Sequence, residues 1–530
     1  MNKKWFLLFP LLSSLIGCSN VNEGLIIRDD KQFSNNDSKI ITSFDNEIII
    51  NEETVTFSNL KDNSGAKLVD SSLIINRKGK YKISGTSTSI NIVVNDVDNT
   101  GNIYLVLDDV ELINESKAPL VILNSEKTFV QSYENSHNIL SYLGNGYAYN
   151  SYNIESAVYA RDNIVLNGKG QLDIISSYTK GIDAKDYLKI LGNGTINISA
   201  PSSQGLSVND SLRIGGSLNL NISCLEDAIH LKNDKNKAYF YMEGGDVHIT
   251  CGQDAIEVTS DDLSSPFLGY TKLVGGHLDI KTTNDEGKSA KGIKCLGNIY
   301  EGSIDIDIDS IDDGLHSDAS IYITSGDVSI KCGSDALHAN EAVYIYGGKL
   351  LINECFEGIE ATYIYVKGGM TTIYALDDGL NAGKKNDNDV PRIEITGGYL
   401  DITVGNGDVD GIDSNGYYYQ NGGLVITRGA PGNNRLASGL DVDLGASINK
   451  GTFICIGAIE TMPTKGKGVY GISLDNTYIF DNQEWKIEEL NISVTLSSSY
   501  YGFTIYSSSF NQGQELNISS SNTRYHFNAE

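Results

Sequence analysis

The chain has 530 residues, with 68 acidic against 40 basic side chains and a formal charge of −28. Its 40% of hydrophobic residues supply enough apolar surface for a large core, which excludes disorder on the scale of the whole chain. The charge argues against nucleic acid, whose phosphates need basic residues to displace their counterions. It favours metal cations, or polymers that reach the surface through them.

In chain order, Lys3 and Lys4 precede an apolar stretch from Trp5 to Ile16, and the segment ends Leu15-Ile16-Gly17-Cys18. So short a run does not span a bilayer. It reads as a bacterial lipoprotein signal over residues 1–17, with cleavage leaving Cys18 as a lipidated N-terminus. The expected location is therefore extracytoplasmic, anchored to the bacterial cell membrane through that lipid alone. Residues 18–49, rich in Ser, Asn and Asp, read as a tether.

From residue 50 no long stretch has a helical period. Short alternating segments recur instead, such as Leu218-Asn219-Leu220-Asn221-Ile222 and Ile304-Asp305-Ile306-Asp307-Ile308, which are the pattern of half-buried strands. They align on one unit: a polar residue, then Gly or Ala, then an aliphatic residue. The polar position falls at Ser156, Lys180, Gln204, Asp227, Asp254, Lys291, Asp313, Asp335, Glu357, Asp378, Asp410 and Ser438, most often at spacings of 21–24 residues. Glycine pairs such as Gly347-Gly348 and Gly368-Gly369 mark corners within the unit. This is the sequence of an all-β solenoid, a parallel β-helix whose coils stack because none can bury its apolar face alone. Residues 50–450 are expected to form it, beginning with a degenerate period, and residues 451–530 its last coils and a C-terminal cap.

Residues one period apart sit about 4.8 Å from each other in such a stack. The polar column therefore brings Asp313, Asp335, Glu357 and Asp378 into consecutive rungs, and a second column three residues on carries His316, His338, Glu360, Asn381, Asp413 and Asp441. Like charges at that spacing repel. A calcium ion between rungs, with oxygen ligands about 2.3–2.6 Å away, would compensate them. Candidate sites are Asp312/Asp313/Asp335, Glu357/Glu360/Asp377/Asp378 and Asp408/Asp410/Asp413. The competing reading is that these acids hydrogen-bond corner amides and face water. His316 and His338 sit among oxygen donors, which does not argue for zinc; they and Asn381 read as sugar-contacting or hydrogen-bonded. Cys332 and Cys355, 23 residues apart, are either a disulfide or buried packing residues. Tyr344, Tyr346 and Tyr417-Tyr418-Tyr419 offer rings to a sugar, with Tyr418 taken as the contact, although any one tyrosine is equally a good strand residue.

The run from Asp312 onward, DDGLHSD…SDALHAN…FEGIEA…DDGLNA…VDGIDSNG…SGLDVD, resembles a family of bacterial surface β-helix carbohydrate-binding proteins. Its clostridial members bind cellulose and acidic sugars, and the likeness covers roughly residues 45–450. The resemblance implies a right-handed parallel β-helix, bound calcium, and kinship of fold with pectate-lyase-type enzymes without established catalysis. The implied calcium ligands lie among Asp312, Asp313, Asp335, Glu357, Glu360, Asp377, Asp378, Asp410 and Asp413. Ser334-Asp335 departs from the paired acids, and Cys355 sits in the FEGIEA coil where packing is the more natural role.

The expected function is a monomeric cell-surface lipoprotein that binds polysaccharide through a calcium-bearing β-helix, with no catalytic residue assigned. The first alternative is a calcium-dependent polysaccharide lyase, with Lys291, Lys294, Lys384 or Lys385 as the base. The second is a structural adhesin whose partner is another protein.

Overall fold

The protein is described by a computed structural model covering residues 32–58, 65–232, 238–260, 269–284, 287–432 and 437–530. The expected signal over residues 1–17, Cys18 and the tether up to residue 31 lie outside these. Each repeat unit makes three short strands, as in Leu315–Ser317, Ser320–Ile323 and Asp327–Cys332. All three pair in parallel with the next unit at one shift of register: Leu315 with Leu337, Tyr322 with Tyr344, Ile330 with Ile352. Repetition of that shift builds a parallel β-solenoid of about 14 turns.

Alternation decides what faces in. Val328, Ile330, Leu350 and Ile352 are buried in one continuous core, while Asp327, Lys331 and Lys349 between them are exposed. Each such aliphatic side chain contributes roughly 1.5–3 kcal/mol relative to leaving it in water, and the neighbouring coils complete its surroundings, so coils are stable only together. The six described cysteines are free thiols and all but Cys224 are buried, so Cys332 and Cys355 pack without a disulfide.

The glycines of the ruler are needed where the backbone of one coil touches the next. A Cβ on Gly379 would overlap Cγ2 of Ile402 and lie 2.5 Å from the carbonyl oxygen of Gly411. Gly379→Ala is therefore expected to cost about 1–3 kcal/mol of overpacking. Hydrogen exchange should show faster opening of the coils around residues 377–414, with the coils before residue 300 unchanged.

Both ends of the stack are closed. At the N-terminal end, Asn46–Asn51 pairs antiparallel with Thr54–Ser58 and in parallel with Gly79–Ser87. At the other end, Gly445–Ile456 takes an antiparallel partner, Tyr500–Ser507, and a separate four-stranded antiparallel sheet buries Trp485, Leu516 and Ile518 in a second core.

Residues 32–45, within the segment read as a tether, lie along the outside of the solenoid. Asp37 is fully buried, with its carboxylate 2.8 Å from Lys189 Nζ and 3.2 Å from Lys127 Nζ. Gln131 exchanges two hydrogen bonds with the backbone of Ile41, and Arg213 donates to the carbonyl of Gln32. These partners come from successive coils, so the segment straps the N-terminal half of the stack together.

Candidate functional site

The ruler residues stack as expected, through their own backbones. Gly292 donates its N–H to the carbonyl of Asp313, Gly314 to Asp335, Ala336 to Glu357, Gly358 to Asp378 and Gly379 to Asp410, all at 2.9–3.0 Å. The residues three further on are also in register: His316, His338, Glu360, Asn381, Asp413, Asp441. Two polar columns thus run side by side along one corner. For Asp313, Asp378 and Asp410 one oxygen accepts the amide of the next rung: Asp335 N–H reaches Asp313 Oδ1 at 3.2 Å, Asp410 N–H reaches Asp378 Oδ1 at 2.7 Å, and Ser438 N–H reaches Asp410 Oδ1 at 2.6 Å. The second oxygen remains for other partners, and those partners divide the corner in two.

In the middle rungs the partners are cations. Lys291 Nζ lies 2.8 Å from Asp312 Oδ2 and 2.6 Å from Asp313 Oδ2, and His316 Nδ1 lies 2.7 Å from Asp313 Oδ2. Burial alone would raise the Asp313 carboxyl, but His316 and Lys291 hold it well below the usual carboxylate range. Asp312 and Asp313, expected as calcium ligands, therefore already carry an ammonium where the ion would sit. The residue responsible is in the preceding rung and reaches across. Lys294 does the same for Glu257, at 2.7 Å, and His230 Nδ1 bridges Asp227 and Glu257 at 3.1 and 2.8 Å. Burial opposes the charge on His230, yet the two carboxylates raise it to about 9. The same balance keeps Lys291 and Lys294 above the ordinary lysine value. Both ammonium groups are thus engaged by carboxylates at 2.6–2.8 Å. Lys385 donates to Asn340 Oδ1 at 2.6 Å.

Towards the C-terminus the cations stop. Burial, then the neighbouring acids, push Glu357 up to about 8, Asp378 to about 6, and Asp410 and Asp413 to about 7. Asp377 is raised by burial and by Asp408, and Asp441 acts on Asp378, Asp410 and Asp413. The main influences on these four half-buried carboxyls are burial, backbone amides and other acids, and Asn381 gives Glu357 one neutral hydrogen bond at 3.0 Å. The donors of this set are all oxygen, the kind calcium takes, whereas the clusters whose ligand atoms converge within 4.8 Å among the described residues are Asp227/His230/Glu257 and Asp335/His338/Glu360. Asp335 and Glu360 belong to neither half, because both are engaged by His338.

Tyr418 is not a sugar contact. It is fully buried, its hydroxyl donates to Gln420 Oε1, and only its neighbours Tyr417 and Tyr419 face out. The strand's two-residue period requires this. The outward row that does exist is Tyr300, Tyr322, Tyr344 and Tyr365, with successive ring centroids 5.0, 5.0 and 4.9 Å apart. These rings stack on one another, so their inner faces are covered and cannot also carry a pyranose. Beside them lies a cleft of about 590 Å³, lined by Asn340, Tyr344, Tyr363, Lys385 and Asp389 among others.

The family of carbohydrate-binding domain-containing proteins matches this sequence over residues 69–336 and 333–469, the greater part of the solenoid. The chain belongs to that family. A carbohydrate-binding domain-containing protein of Acetivibrio thermocellus is 29% identical over 136 residues, 24% of this chain and 46% of the relative. The chain thus spans about half the length of that relative. The solved structure of a polysaccharide lyase-like protein from C. thermocellum, a gadolinium derivative, is 24% identical over 51% of this chain and 99% of its own, with a TM-score of 0.38.

Two features of this carbohydrate-binding domain escaped the sequence reading. Asp227/His230 and Asp254/Glu257 repeat the three-residue offset of Asp313/His316, which would have marked the earlier rungs as part of the same corner. Tyr300, Tyr322 and Tyr344 recur every 22 residues, the coil period itself.

Proposed function

We propose that this carbohydrate-binding domain is held at the bacterial surface by a lipid on Cys18 and binds an acidic polysaccharide through calcium on its C-terminal rungs. The observation that carries the reading is the set Glu357, Asp378, Asp410 and Asp413, half-buried on adjacent rungs and influenced chiefly by burial and by one another's charge. Calcium would be held by these carboxylates with Asp377, Asp408 and Asp441 around them. When bound, it supplies positive charge with open coordination positions, to which a sugar carboxylate can add its own oxygens. The bridge is required because a chain of charge −28 repels a polyanion. Binding of a neutral glycan along the tyrosine row is the weaker reading, since those rings are already occupied by each other.

Polygalacturonate is the probe of choice. The full chain is expected to bind it with calcium present and to release it on chelation. The double variant Asp410→Asn, Asp413→Asn should bind at least ~10-fold more weakly, as loss of anionic calcium ligands implies. Tyr344→Ala should leave binding unchanged. Retention of polygalacturonate in excess chelator would defeat the calcium bridge.

A further inference from the structure

Asp335, His338 and Glu360 form a cluster between the two halves of the corner. His338 Nδ1 lies 3.0 Å from Asp335 Oδ2 and 2.7 Å from Glu360 Oε2. The two carboxyl groups are themselves within hydrogen-bonding reach of each other. One ring nitrogen thus faces two acceptors, but it carries at most a single hydrogen and can satisfy only one of them. His316, one rung earlier, shows the ordinary solution: Nδ1 meets Asp313 at 2.7 Å and Nε2 meets Asp318 at 3.3 Å, one acceptor to each nitrogen.

The same triad occurs earlier in the stack as Asp227, His230 and Glu257, with Nδ1 again facing both carboxylates. There the rung beyond Glu257 supplies Lys294, whose ammonium rests on Glu257 and gives the second carboxylate its own cation. Beyond Glu360 the corresponding residue is Asn381, which is neutral and donates to Glu357 instead. Of the two copies, only the Asp335 triad converges without a lysine.

We propose that Asp335, His338 and Glu360 bind one first-row transition-metal ion of the zinc, cobalt or nickel type, through His338 Nδ1 and one oxygen of each carboxylate. The donor set points that way: an imidazole nitrogen suits these ions, whereas calcium takes oxygen. So does the convergence: one ligand atom from each of the three residues lies within 4.8 Å of the other two. The His316 ring, stacked on His338 at 4.6 Å and within 4° of parallel, fixes the imidazole plane. His338 and Glu360 are half-buried, which leaves the remaining coordination positions open to water. The corner would then hold two sites of different chemistry, an oxygen site for calcium and a nitrogen-containing site one rung away. This second site does not depend on which glycan is bound, or whether any is.

The test is made on untagged full-length chain, stripped with chelator and titrated with Co²⁺ in millimolar calcium, which occupies the oxygen sites. The expected result is visible d–d absorption saturating at one Co²⁺ per chain. His338→Gln and Glu360→Gln, each checked for native circular dichroism, should each weaken binding at least ~10-fold, the scale of loss seen even for supporting groups of metal sites. His230→Gln should leave it unchanged. Absence of bound cobalt in the presence of calcium, or the same loss with His230→Gln as with His338→Gln, would overturn the assignment.

Discussion

Stripped of divalent ions, the protein is expected to lose stability as the pH rises from about 5 to 8, and calcium is expected to reverse that trend. The sign follows from Glu357, Asp378, Asp410 and Asp413, whose native carboxyls are raised by burial and by one another to values between about 6 and about 8. Between the ordinary carboxylate range and those values the native state holds protons that the unfolded chain has released, so stability falls with pH across that window. Each tenfold gain in proton affinity on folding is worth about 1.4 kcal/mol, so even a fraction of the combined effect amounts to several kcal/mol in the C-terminal coils. On the proposed reading, calcium would bind the deprotonated native form and stabilise it by about 4 kcal/mol at a thousandfold excess over its dissociation constant, more at pH 8 than at pH 5. Asp37 and Glu257, both held near about 2 by their cation partners despite burial, act in the other direction. Their contribution is present above the ordinary carboxylate range, is lost as pH falls towards 2, and sets the acid limit. Hydrogen exchange over residues 357–443 at pH 5, 6.5 and 8, with chelator or with calcium, checks the prediction coil by coil. Equal calcium protection at pH 5 and pH 8 would count against it.

The solenoid was legible because its energetics repeat. A polar residue, a glycine or alanine against the next backbone, and an aliphatic residue in the core recur at every rung, and the ladder from Gly292 to Gly411 follows that register. The columns of the corner were legible for the same reason. The period also puts Lys291 in the polar column one rung before Asp313, where a cation relieves repulsion; what it could not show is how far the side chain reaches, since Lys291 takes Asp312 as well as Asp313. Tyr418 illustrates the reverse case, in which the two-residue period already placed it inside and the attraction of a triple tyrosine obscured it. The strap over residues 32–45 carries no periodic signal at all, since Asp37 meets Lys127 and Lys189 across 90 and 152 residues of chain.

That strap gives the second large effect. Asp37→Ala is expected to destabilise the N-terminal half of the solenoid by about 3–5 kcal/mol, the cost of leaving a buried charge without its partner. Lys189 has a nearly buried side chain, 6% exposed, and its ammonium is opposed by burial and by Arg213, with Asp37 as the carboxylate that sustains it. Lys127 keeps a second route, because Tyr187 also bonds it, so the loss should concentrate at Lys189. Asp37 further holds Ser34 N–H through its carboxylate, and its own carbonyl accepts from Asn167, so the turn at residues 34–37 loosens with it. Limited proteolysis should then cut the strap, and exchange should quicken in the strands around Lys189 and Arg213 while the C-terminal coils stay protected. The double variant Asp37→Leu, Lys189→Met separates charge from packing. With both charges gone the penalty of an unpaired ion disappears, and the double variant should be more stable than Asp37→Ala alone. A strap that remains resistant to protease in Asp37→Ala would mean that the apolar contact of Phe33 with Phe129, Val165 and Leu191 fastens it instead.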